Sequence, residues 1–361
     1  MLRYSSFVPR LYNYCKSLGF EAGKIMPSRA FCSDESQGYP IILIAKHFGT
    51  FPFNHGRVGG IVATSRHRPH AAHGKDMVII QASHVGYDPA TRTFGTYRRM
   101  QTEKQEFGTC CGKLGEVLDW YSNEYQFAQE NIFLHRYEGD YLIRIDNQLL
   151  RENREEGLFL NLERVVERRE NGELTPLRSF STSKAYPVSC EFRRLLGDDV
   201  WPLNGEIAIG KHLLPEMFRF KRNIDEDPED QQPLERNLLN PMAWIVTSKA
   251  PLLTAAQVNT QAEFDRTFRT IVKEHGYQGK KVVYIAGLHI DISPQPGQLF
   301  PLTKFVPWAA YIQDSDGSHQ TLEQHELMNA LLAHPDQNPD MIDLEDAIRI
   351  MGKAEEIKVR L

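Results

Sequence analysis

The apolar run in the segment KDMVIIQASH, residues 75–84, is the feature that most limits what this chain can fold into. The run rises from polar residues into β-branched ones and breaks at His84-Val85-Gly86, which predicts a buried strand that ends at His84. In open α/β sheets, ligands and catalytic groups collect just beyond the carboxyl ends of strands. His84 is therefore the first candidate for a functional residue.

The rest of the chain alternates between strand-like and helix-like patterns. The strand-like segments are GEIAIGKHLL (205–214), PMAWIVTS (241–248) and KKVVYIAGLHIDI (280–292). The helix-like segments include the apolar run 41–45 after Pro40, the segment that begins at Gly112, and AEFDRTFRTIVKEHG (262–276). The segment GYDPATRTFG predicts a loop or hairpin. Strands that alternate with helices predict an α/β fold.

We expect three parts along the chain. Residues 1–19 predict a basic N-terminal arm, and residues 20–320 predict the main domain. Within that domain, the acidic segment 222–237 predicts an exposed loop. Residues 321–361 predict a short helical tail, with two helices broken between Pro335 and Pro339.

Composition excludes several classes of protein. A net charge of -5 and a pI near 6.2 give no field that attracts a polyanion, so we expect no nucleic-acid partner. Five cysteines are too few for a secreted disulfide framework, and no apolar run is long enough to cross a membrane. We expect a soluble cytoplasmic protein, with organellar targeting by the basic N-terminus left open.

Cys32, His84 and Cys111 form the strongest chemical constellation. Two thiolates and an imidazole suit Zn²⁺, and three protein ligands leave a fourth position for water, which is the catalytic rather than the structural arrangement. Cys111 stands at the predicted entrance of a helix, where the dipole favours a thiolate. The spacing contains no CxxC pair, so the alternative is three unrelated buried residues.

The chain resembles a known family in several short stretches. These are CSDE, FGTFPFNHGRVGGI, HVGY, GTYRRMQ, CCG, and the late strand VVYIAGLHIDI followed by FVPWAAYIQ. They resemble the limiting-CO2-inducible protein B (LCIB) family, whose members are similar to β-class carbonic anhydrases in fold and metal site. The resemblance covers roughly residues 20–315. It implies a β-carbonic-anhydrase-like mixed sheet flanked by helices.

The resemblance also implies roles for individual residues. Cys32, His84 and Cys111 would bind zinc, and Asp34 would accept a hydrogen bond from a zinc-bound hydroxide that attacks CO2. An arginine should pair with Asp34, but the usual signature Cys-x-Asp-x-Arg has Ser36 in this chain. Arg99 is our first choice for that arginine.

Two of these assignments remain open at the level of sequence. Arg98, Arg57 and Arg29 are alternatives to Arg99 as the partner of the carboxylate. Cys110 is the alternative to Cys111 as the third ligand, because the choice depends only on the shared Cys-Gly.

Three further motifs contain residue types that can carry chemistry. His67, His70 and His73 in SRHRPHAAHGKD could form a second metal site or a proton-shuttling rim, but an exposed basic loop is the simpler interpretation. GEIAIGKH matches a phosphate-binding loop only in part, and we reject it because its interior is strand-like and His212 replaces Ser or Thr. His289 and Asp291 share a strand face, where they could support the metal site or form a structural pair.

The sequence therefore predicts a zinc-dependent carbonic anhydrase that converts CO2 and water to bicarbonate. The alternative is a non-catalytic, zinc-stabilised scaffold or partner-binding member of the same family. The related fold implies a homodimer, and Phe48, Phe51 and Phe53 are the predicted contacts, although they could equally belong to the core.

Overall fold

A computed structural model describes residues 1–63, 75–98, 106–137, 139–151, 153–226, 229, 231–298 and 301–354. The chain divides into two compact units. The first combines Met1–Lys113 with Ala256–Leu361, and the second is Leu114–Ala255. None of the helices in the described segments combines the length and the hydrophobicity that a bilayer span requires.

Helices and strands alternate along the described chain. The helices are α1 (Tyr4–Ser17), α2 (Gly38–Phe48), α3 (Gly112–Asn131), α4 (Leu162–Val165), α5 (Cys190–Leu196), α6 (Gln232–Leu239), α7 (Met242–Val246), α8 (Pro251–Lys273), α9 (Gln324–Leu332) and α10 (Leu344–Met351). The strands are β1 (Leu2–Arg3), β2 (Ile25–Ala30), β3 (Phe53–Asn54), β4 (Asp76–Asp88), β5 (Thr93–Phe94), β6 (Thr96–Arg98), β7 (Phe107–Thr109), β8 (Ile132–Tyr137), β9 (Asp140–Asp146), β10 (Gly157–Leu160), β11 (Arg178–Ser179), β12 (Ser183–Pro187), β13 (Gly205–Ala208), β14 (Phe218–Lys221), β15 (Val282–Ile292), β16 (Leu302–Gln313) and β17 (His319–Glu323).

The first unit is built on a mixed sheet of eight strands. Its main order is β1-β16-β15-β4-β2-β3, with β17 added to β16 and β5 added to β4. Strands β15, β4, β2 and β3 run parallel, whereas β16 is antiparallel to β15. The predicted α/β class with a mixed sheet is confirmed.

Helices cover both faces of this sheet, which explains the apolar run at residues 77–80. On β4, Val78 and Ile80 pack with residues of α1, α2 and α9, while Met77 and Ile79 pack on the other face with residues of α8. A strand that is covered on both faces needs apolar residues at consecutive positions rather than at alternate ones. Each fully buried side chain of this kind contributes about 1.5–3 kcal/mol.

The second unit contains a five-stranded antiparallel sheet with the order β11-β12-β9-β8-β13, and a separate pair, β10 with β14. One face of the larger sheet is apolar and buried, through Ile132 and Leu134 on β8 and Ile143 and Ile145 on β9. The residues between them point to the opposite face. This second face carries Arg144 and His135 beside the apolar Phe133 and Leu142.

Two local predictions need correction. Strand β4 continues through Gly86 to Asp88 instead of ending at His84, because β15 pairs with it as far as Tyr87. The segment 241–248 is not a strand: α7 occupies Met242–Val246. Its apolar residues are too few for periodicity to separate helix from strand.

The acidic segment 222–237 is also more ordered than predicted. Helix α6 begins at Gln232 inside it, and Leu234 and Glu235 are fully buried. Glu235 tolerates burial because Tyr121 donates a hydrogen bond to it at 2.5 Å and Arg222 lies 3.3 Å away. The prediction of an exposed loop is therefore wrong for this part.

The two ends of the chain contain helices. Residues 1–19, which we expected to form an arm, contain β1 and α1, and α1 contributes Phe7 and Leu11 to the core. The tail contains the two predicted helices, α9 and α10. The division at residues 19 and 320 stays a prediction.

Candidate metal centre

Cys32, His84 and Cys111 come from separate parts of the first unit and meet in its interior. Cys32 follows β2, His84 lies within β4, and Cys111 directly precedes α3. All three residues are buried, and one ligand atom from each lies within 4.8 Å of the others. The structure thus brings together the three residues that the sequence argument selected.

The two ring nitrogens of His84 have different surroundings. Nδ1 lies 3.0 Å from the Asp291 carboxylate, and both side chains are fully buried. Nε2 is buried and has no hydrogen-bond partner. A carboxylate on one nitrogen fixes the proton there and leaves a lone pair on the other, which is the usual arrangement of a histidine that binds a metal.

Asp291 is itself held by a dense buried network. Its carboxylate accepts hydrogen bonds from Ser36 Oγ at 2.9 Å, Gln37 Nε2 at 2.7 Å and Thr303 Oγ1 at 2.8 Å. Gln37 also contacts His289 Nδ1 through its Oε1 at 2.6 Å. His289 and Asp291 therefore do not pair with each other: Asp291 supports His84, and His289 anchors Gln37.

The two thiols of the cluster contact each other. Cys32 Sγ and Cys111 Sγ are 3.9 Å apart, and the Gly59 N–H donates to Cys32 Sγ at 3.2 Å. The hydrogen bond from Cys111 lowers the pKa of Cys32, and His84 and the Gly59 N–H act in the same direction, so together they outweigh burial. The same hydrogen bond is the largest cause that raises the pKa of Cys111, and burial is the next largest.

The surroundings of His84 favour a positive charge. Burial acts to lower its pKa, but the thiols of Cys110 and Cys111 and the hydrogen bond to Asp291 raise it well above its ordinary value. The sulfurs and the Asp291 carboxylate thus favour a positive charge at this buried point. A divalent cation that replaced the second proton of the imidazole at Nε2 would satisfy the same electrostatics.

Gly86 explains how Cys110 and Cys111 come close to His84. A Cβ at this position would lie 2.5 Å from the Thr96 carbonyl oxygen and 3.0 Å from Cys110 Cβ. The missing side chain allows the Gly86 N–H to donate to the Cys110 carbonyl at 2.8 Å. The glycine two residues after His84 therefore permits the close approach of the segment that carries both cysteines.

Helix α8 positions the loop that donates to Cys32. Asn259 Nδ2 donates to the Gly59 carbonyl at 3.0 Å and to Ser83 Oγ at 2.8 Å, and the Glu263 carboxylate accepts from the Val62 N–H at 2.6 Å. Both side chains are fully buried. The sequence does not indicate these two residues, because nothing in the pattern of α8 distinguishes them from other polar residues of a helix.

Asp34 lies at the same site but in a more open position. It is half-buried and caps the short 3-10 helix Glu35–Gln37, where it accepts from the Ser36 N–H at 3.0 Å. One of its oxygens, His84 and the Cys110 thiol form a second group of possible ligand atoms within 4.8 Å. The carboxylate is thus within reach of the cluster.

The arginine expected beside Asp34 is not found among the described residues. Arg99 lies outside them, as do His67, His70 and His73. Of the alternatives, the Arg98 guanidinium lies over the Phe107 ring at 5.1 Å, and neither Arg57 nor Arg29 forms a described contact with Asp34. The partner of the carboxylate therefore stays a prediction.

Cys110 lies on the Nδ1 side of the imidazole. Its Sγ is 3.4 Å from His84 Nδ1 and 4.0 Å from the Asp291 carboxylate. Burial raises its pKa to about 11, so the thiol stays protonated near neutral pH. Because Asp291 already occupies Nδ1, the geometry favours Cys111 over Cys110 as a partner of Cys32 at Nε2.

The remaining sequence motifs contribute no residue to this cluster. GEIAIGKH forms the edge strand β13 and a short 3-10 helix, Gly210–His212, which agrees with its rejection as a phosphate-binding loop. Phe48 is buried, whereas Phe51 and Phe53 are 69% and 53% exposed.

The donor set fits zinc. Two thiols and an imidazole are ligands that this ion prefers over Mg²⁺ or Ca²⁺, and the unpartnered Nε2 of His84 is an acceptor that the folded chain leaves unused. A buried polar atom without a partner is costly, so a ligand for it is expected.

Comparison with known proteins finds a matching family model and similar solved structures. Residues 1–158 match the family model described as limiting CO2-inducible proteins B/C beta carbonic anhydrases. The crystal structure of PtLCIB4, a homolog of the limiting CO2-inducible protein LCIB, matches with a TM-score of 0.51 and 15% identity over 90% of this chain and 94% of that chain. The crystal structure of LCIB matches with a TM-score of 0.46 and 12% identity over 90% and 94%. No curated protein matches the chain.

The fold is therefore that of the β-carbonic-anhydrase-like proteins. Over residues 1–158, which are less than half of its length, the chain matches the limiting CO2-inducible protein B/C family.

Proposed function

We propose that this protein is a zinc-dependent carbonic anhydrase that interconverts CO2 and bicarbonate. The observation that carries the proposal is the buried Nε2 of His84, which has no partner and lies in a cluster with the thiols of Cys32 and Cys111. The family of residues 1–158 supports the same reaction.

In this proposal, Cys32, His84 and Cys111 hold the metal. Zinc, when bound, supplies the Lewis acid that makes a water nucleophilic near neutral pH. Asp291 keeps the proton of His84 on Nδ1, so that Nε2 presents its lone pair. The Gly59 N–H donates to Cys32 and thereby stabilises the thiolate form.

Asp34 is the proposed acid–base residue. Its half-buried carboxylate lies beside the cluster, where it can accept a proton and orient the attacking oxygen towards CO2. Arg99 is the proposed partner that keeps this carboxylate ionised. Asp34 and Arg99 contribute to turnover in this scheme, whereas the three ligands and Asp291 contribute to metal binding.

A non-catalytic scaffold is the second candidate function. The observation that favours it is Ser36, which stands where the related signature has an arginine and whose hydroxyl donates to Asp291 instead of supporting Asp34. In that case, zinc would stabilise the fold without turnover.

Isotope exchange separates the two candidates. We expect the purified chain to carry about one zinc per chain and to catalyse ¹⁸O exchange between CO2 and water, with activity lost on chelation and restored by zinc. Fully zinc-loaded protein without activity at alkaline pH contradicts the enzyme and supports the scaffold.

A homodimer is part of the proposal. Phe51 and Phe53 support it, because large apolar side chains this exposed are typical of contact surfaces, whereas Phe48 belongs to the core. Sedimentation of the zinc-loaded protein tests this, and a fully active monomer would contradict it.

A further inference from the structure

A pocket on the second unit has no role in the proposed reaction. It has a volume of about 420 Å³, which falls within the range of small-molecule sites. Its lining contains two arginines, a glutamate, a histidine, several hydroxyl groups and a few apolar side chains. These residues are His135, Leu142, Arg144, Arg178, Phe180, Ser181, Thr182, Ser183, Ala185 and Glu206.

The pocket lies on the polar face of the five-stranded sheet. His135 on β8 faces Leu142 on β9, and Arg144 faces Ala185 on β12. Residues that are paired across antiparallel strands point to the same side. The hairpin between β11 and β12, closed by the Phe180 N–H to the Ser183 carbonyl, forms one wall.

Arg144 lines the pocket, and part of its guanidinium has no described hydrogen-bond partner. Its Nε and one terminal nitrogen donate to Glu206 at 2.8 and 2.5 Å, and its other terminal nitrogen contacts Ser183 Oγ at 3.3 Å. A guanidinium has five N–H groups, so these bonds leave two of them without a described partner, one on each terminal nitrogen. The stack over Phe133, at 4.2 Å, holds the group in place.

Arg178 adds a cation that no described carboxylate neutralises. Its guanidinium lies over the Tyr137 ring at 5.2 Å. The hydroxyl groups of Ser181 and Thr182 also have no described partner, and both belong to the wall. His135 Nδ1 is buried without a hydrogen bond. The pocket thus offers a surplus of donors and one net positive charge before His135 is counted.

We propose that this pocket binds a small organic anion. Arg178, the free N–H groups of Arg144 and the hydroxyls of Ser181 and Thr182 hold its phosphate or carboxylate group. Its flat apolar body lies against Leu142, Phe180 and Ala185. The net charge of the chain, -5, and the single unpaired arginine favour a small ligand over a polyanion.

Glu206 provides a specific test of the proposal, because its carboxylate accepts two of the hydrogen bonds that the Arg144 guanidinium can donate. The hydrogen bond from Arg144 lowers the pKa of Glu206, so the group is ionised near neutral pH. An incoming anion therefore meets a fixed negative charge at the edge of its site. Removal of that charge should strengthen binding, which a purely structural Arg144–Glu206 pair does not predict.

Calorimetric titration of the full zinc-loaded chain tests the proposal with phenyl phosphate, benzoate and inorganic phosphate. We expect phenyl phosphate to bind most tightly, because it combines a ring with more acceptor oxygens than benzoate has. Tighter binding of benzoate would still support an anion site, but would indicate that the natural ligand binds through a carboxylate and not through a phosphate. Arg178→Gln should weaken binding at least about tenfold, and Glu206→Gln should strengthen it about threefold or more.

Arg136→Gln is the matched control. Arg136 lies over the Tyr141 ring at 5.2 Å, the same distance as Arg178 from Tyr137, but on the other face of β8. Its loss should leave binding unchanged. Equal losses in both arginine variants, no binding of either ring-bearing anion at about 10 mM, or weaker binding by Glu206→Gln each overturn the proposal. Hydrogen exchange at residues 181–183 is a further test. If protection there rises with protein concentration and not with ligand, this face binds a second copy of the chain, and the proposal is overturned.

Discussion

The two sides of the candidate metal centre are built differently. On the His84 side, a fully buried carboxylate accepts hydrogen bonds from Ser36, Gln37 and Thr303 and orients the imidazole. On the Asp34 side, a half-buried carboxylate has one backbone N–H as its described partner. The ordered side serves metal binding in our proposal, whereas the open side serves the substrate.

The difference has a physical reason. An ionised carboxylate that is removed from water needs several donors, so Asp291 can exist only within a satisfied network. A carboxylate that must exchange protons has to stay accessible, and Asp34 does. Preorganisation of the ligand and access for the substrate are thus separated within one small site.

Removal of a ligand should have the largest effect, because each ligand belongs to the ordered side. Cys32→Ala, His84→Ala and Cys111→Ala should each reduce the zinc content from about one per chain to near zero. Elemental analysis after gel filtration measures this. Cys190→Ala, which changes an exposed cysteine, is the matched control and should keep its zinc.

Two results would change the ligand assignment. Zinc that persists in Cys111→Ala but is lost in Cys110→Ala moves the third ligand by one residue. Zinc that persists in all three ligand variants places the metal elsewhere.

Asp34→Asn should separate the two sides most clearly. We expect zinc and fold to be retained while CO2 hydration falls by roughly 10² or more, because the amide cannot accept the proton. Isotope exchange and zinc analysis on the same sample measure both quantities. Arg99→Gln should act in the same direction, and its neighbour Arg98→Gln is the control.

Unchanged hydration in Asp34→Asn contradicts the proposed role of the open side. Loss of zinc in this variant would instead make Asp34 a ligand, together with His84 and Cys110.

Asp291→Asn should weaken zinc binding by about 10–100-fold, the usual effect of removing the residue that supports a histidine ligand. Competition with a chromophoric chelator measures the affinity. Thr303→Val is a milder control, because it removes one hydrogen bond to Oδ1 and leaves Oδ2 on His84. Equal zinc affinity in Asp291→Asn and wild type would show that the network is structural only.

The smallest expected effect concerns His47 in α2, the helix that begins directly after Gln37. Burial and the nearby Lys46 lower the pKa of His47 from 6.5 to about 4. Between these two pKa values, His47 is protonated in the unfolded chain and neutral in the folded chain. The free energy of unfolding therefore falls as the pH drops through this range. The loss should be about 1 kcal/mol between about pH 6.5 and 5.5.

Denaturant titrations of wild type and His47→Gln measure this contribution as a difference. The variant should lose less stability over the same pH interval. An identical pH dependence in the two proteins contradicts the assignment.

The sequence predicted the three residues of the cluster better than the residues that support them. Cys32, His84 and Cys111 could be selected by chemistry and order, and β15 by its apolar run. The contact between Asp291 and His84 depends on the parallel register of β15 beside β4, in which His289 lies opposite His84. No local pattern encodes that register, so the sequence predicts Asp291 to pair with His289, either in support of the metal site or as a structural pair, and not with His84.

Helix and loop assignments failed where long-range contacts decide. Residues 242–246 are apolar and too few to show a period over two turns, so their pattern cannot separate a strand from the helix that the structure has there. The sequence predicts Glu235 to lie in an exposed acidic loop, because its partner Tyr121 is 114 residues away and no local pattern indicates that contact.

The distance along the chain between His84 and Asp291 has a consequence for biosynthesis. All three proposed ligands belong to the first 111 residues, whereas the carboxylate that orients the imidazole is made 207 residues after His84. A ribosome therefore releases the complete ligand set long before β15 can enter the sheet beside β4. During that interval, the candidate ligands lack the carboxylate that orients His84, and the complete site can form only after β15 has joined the sheet.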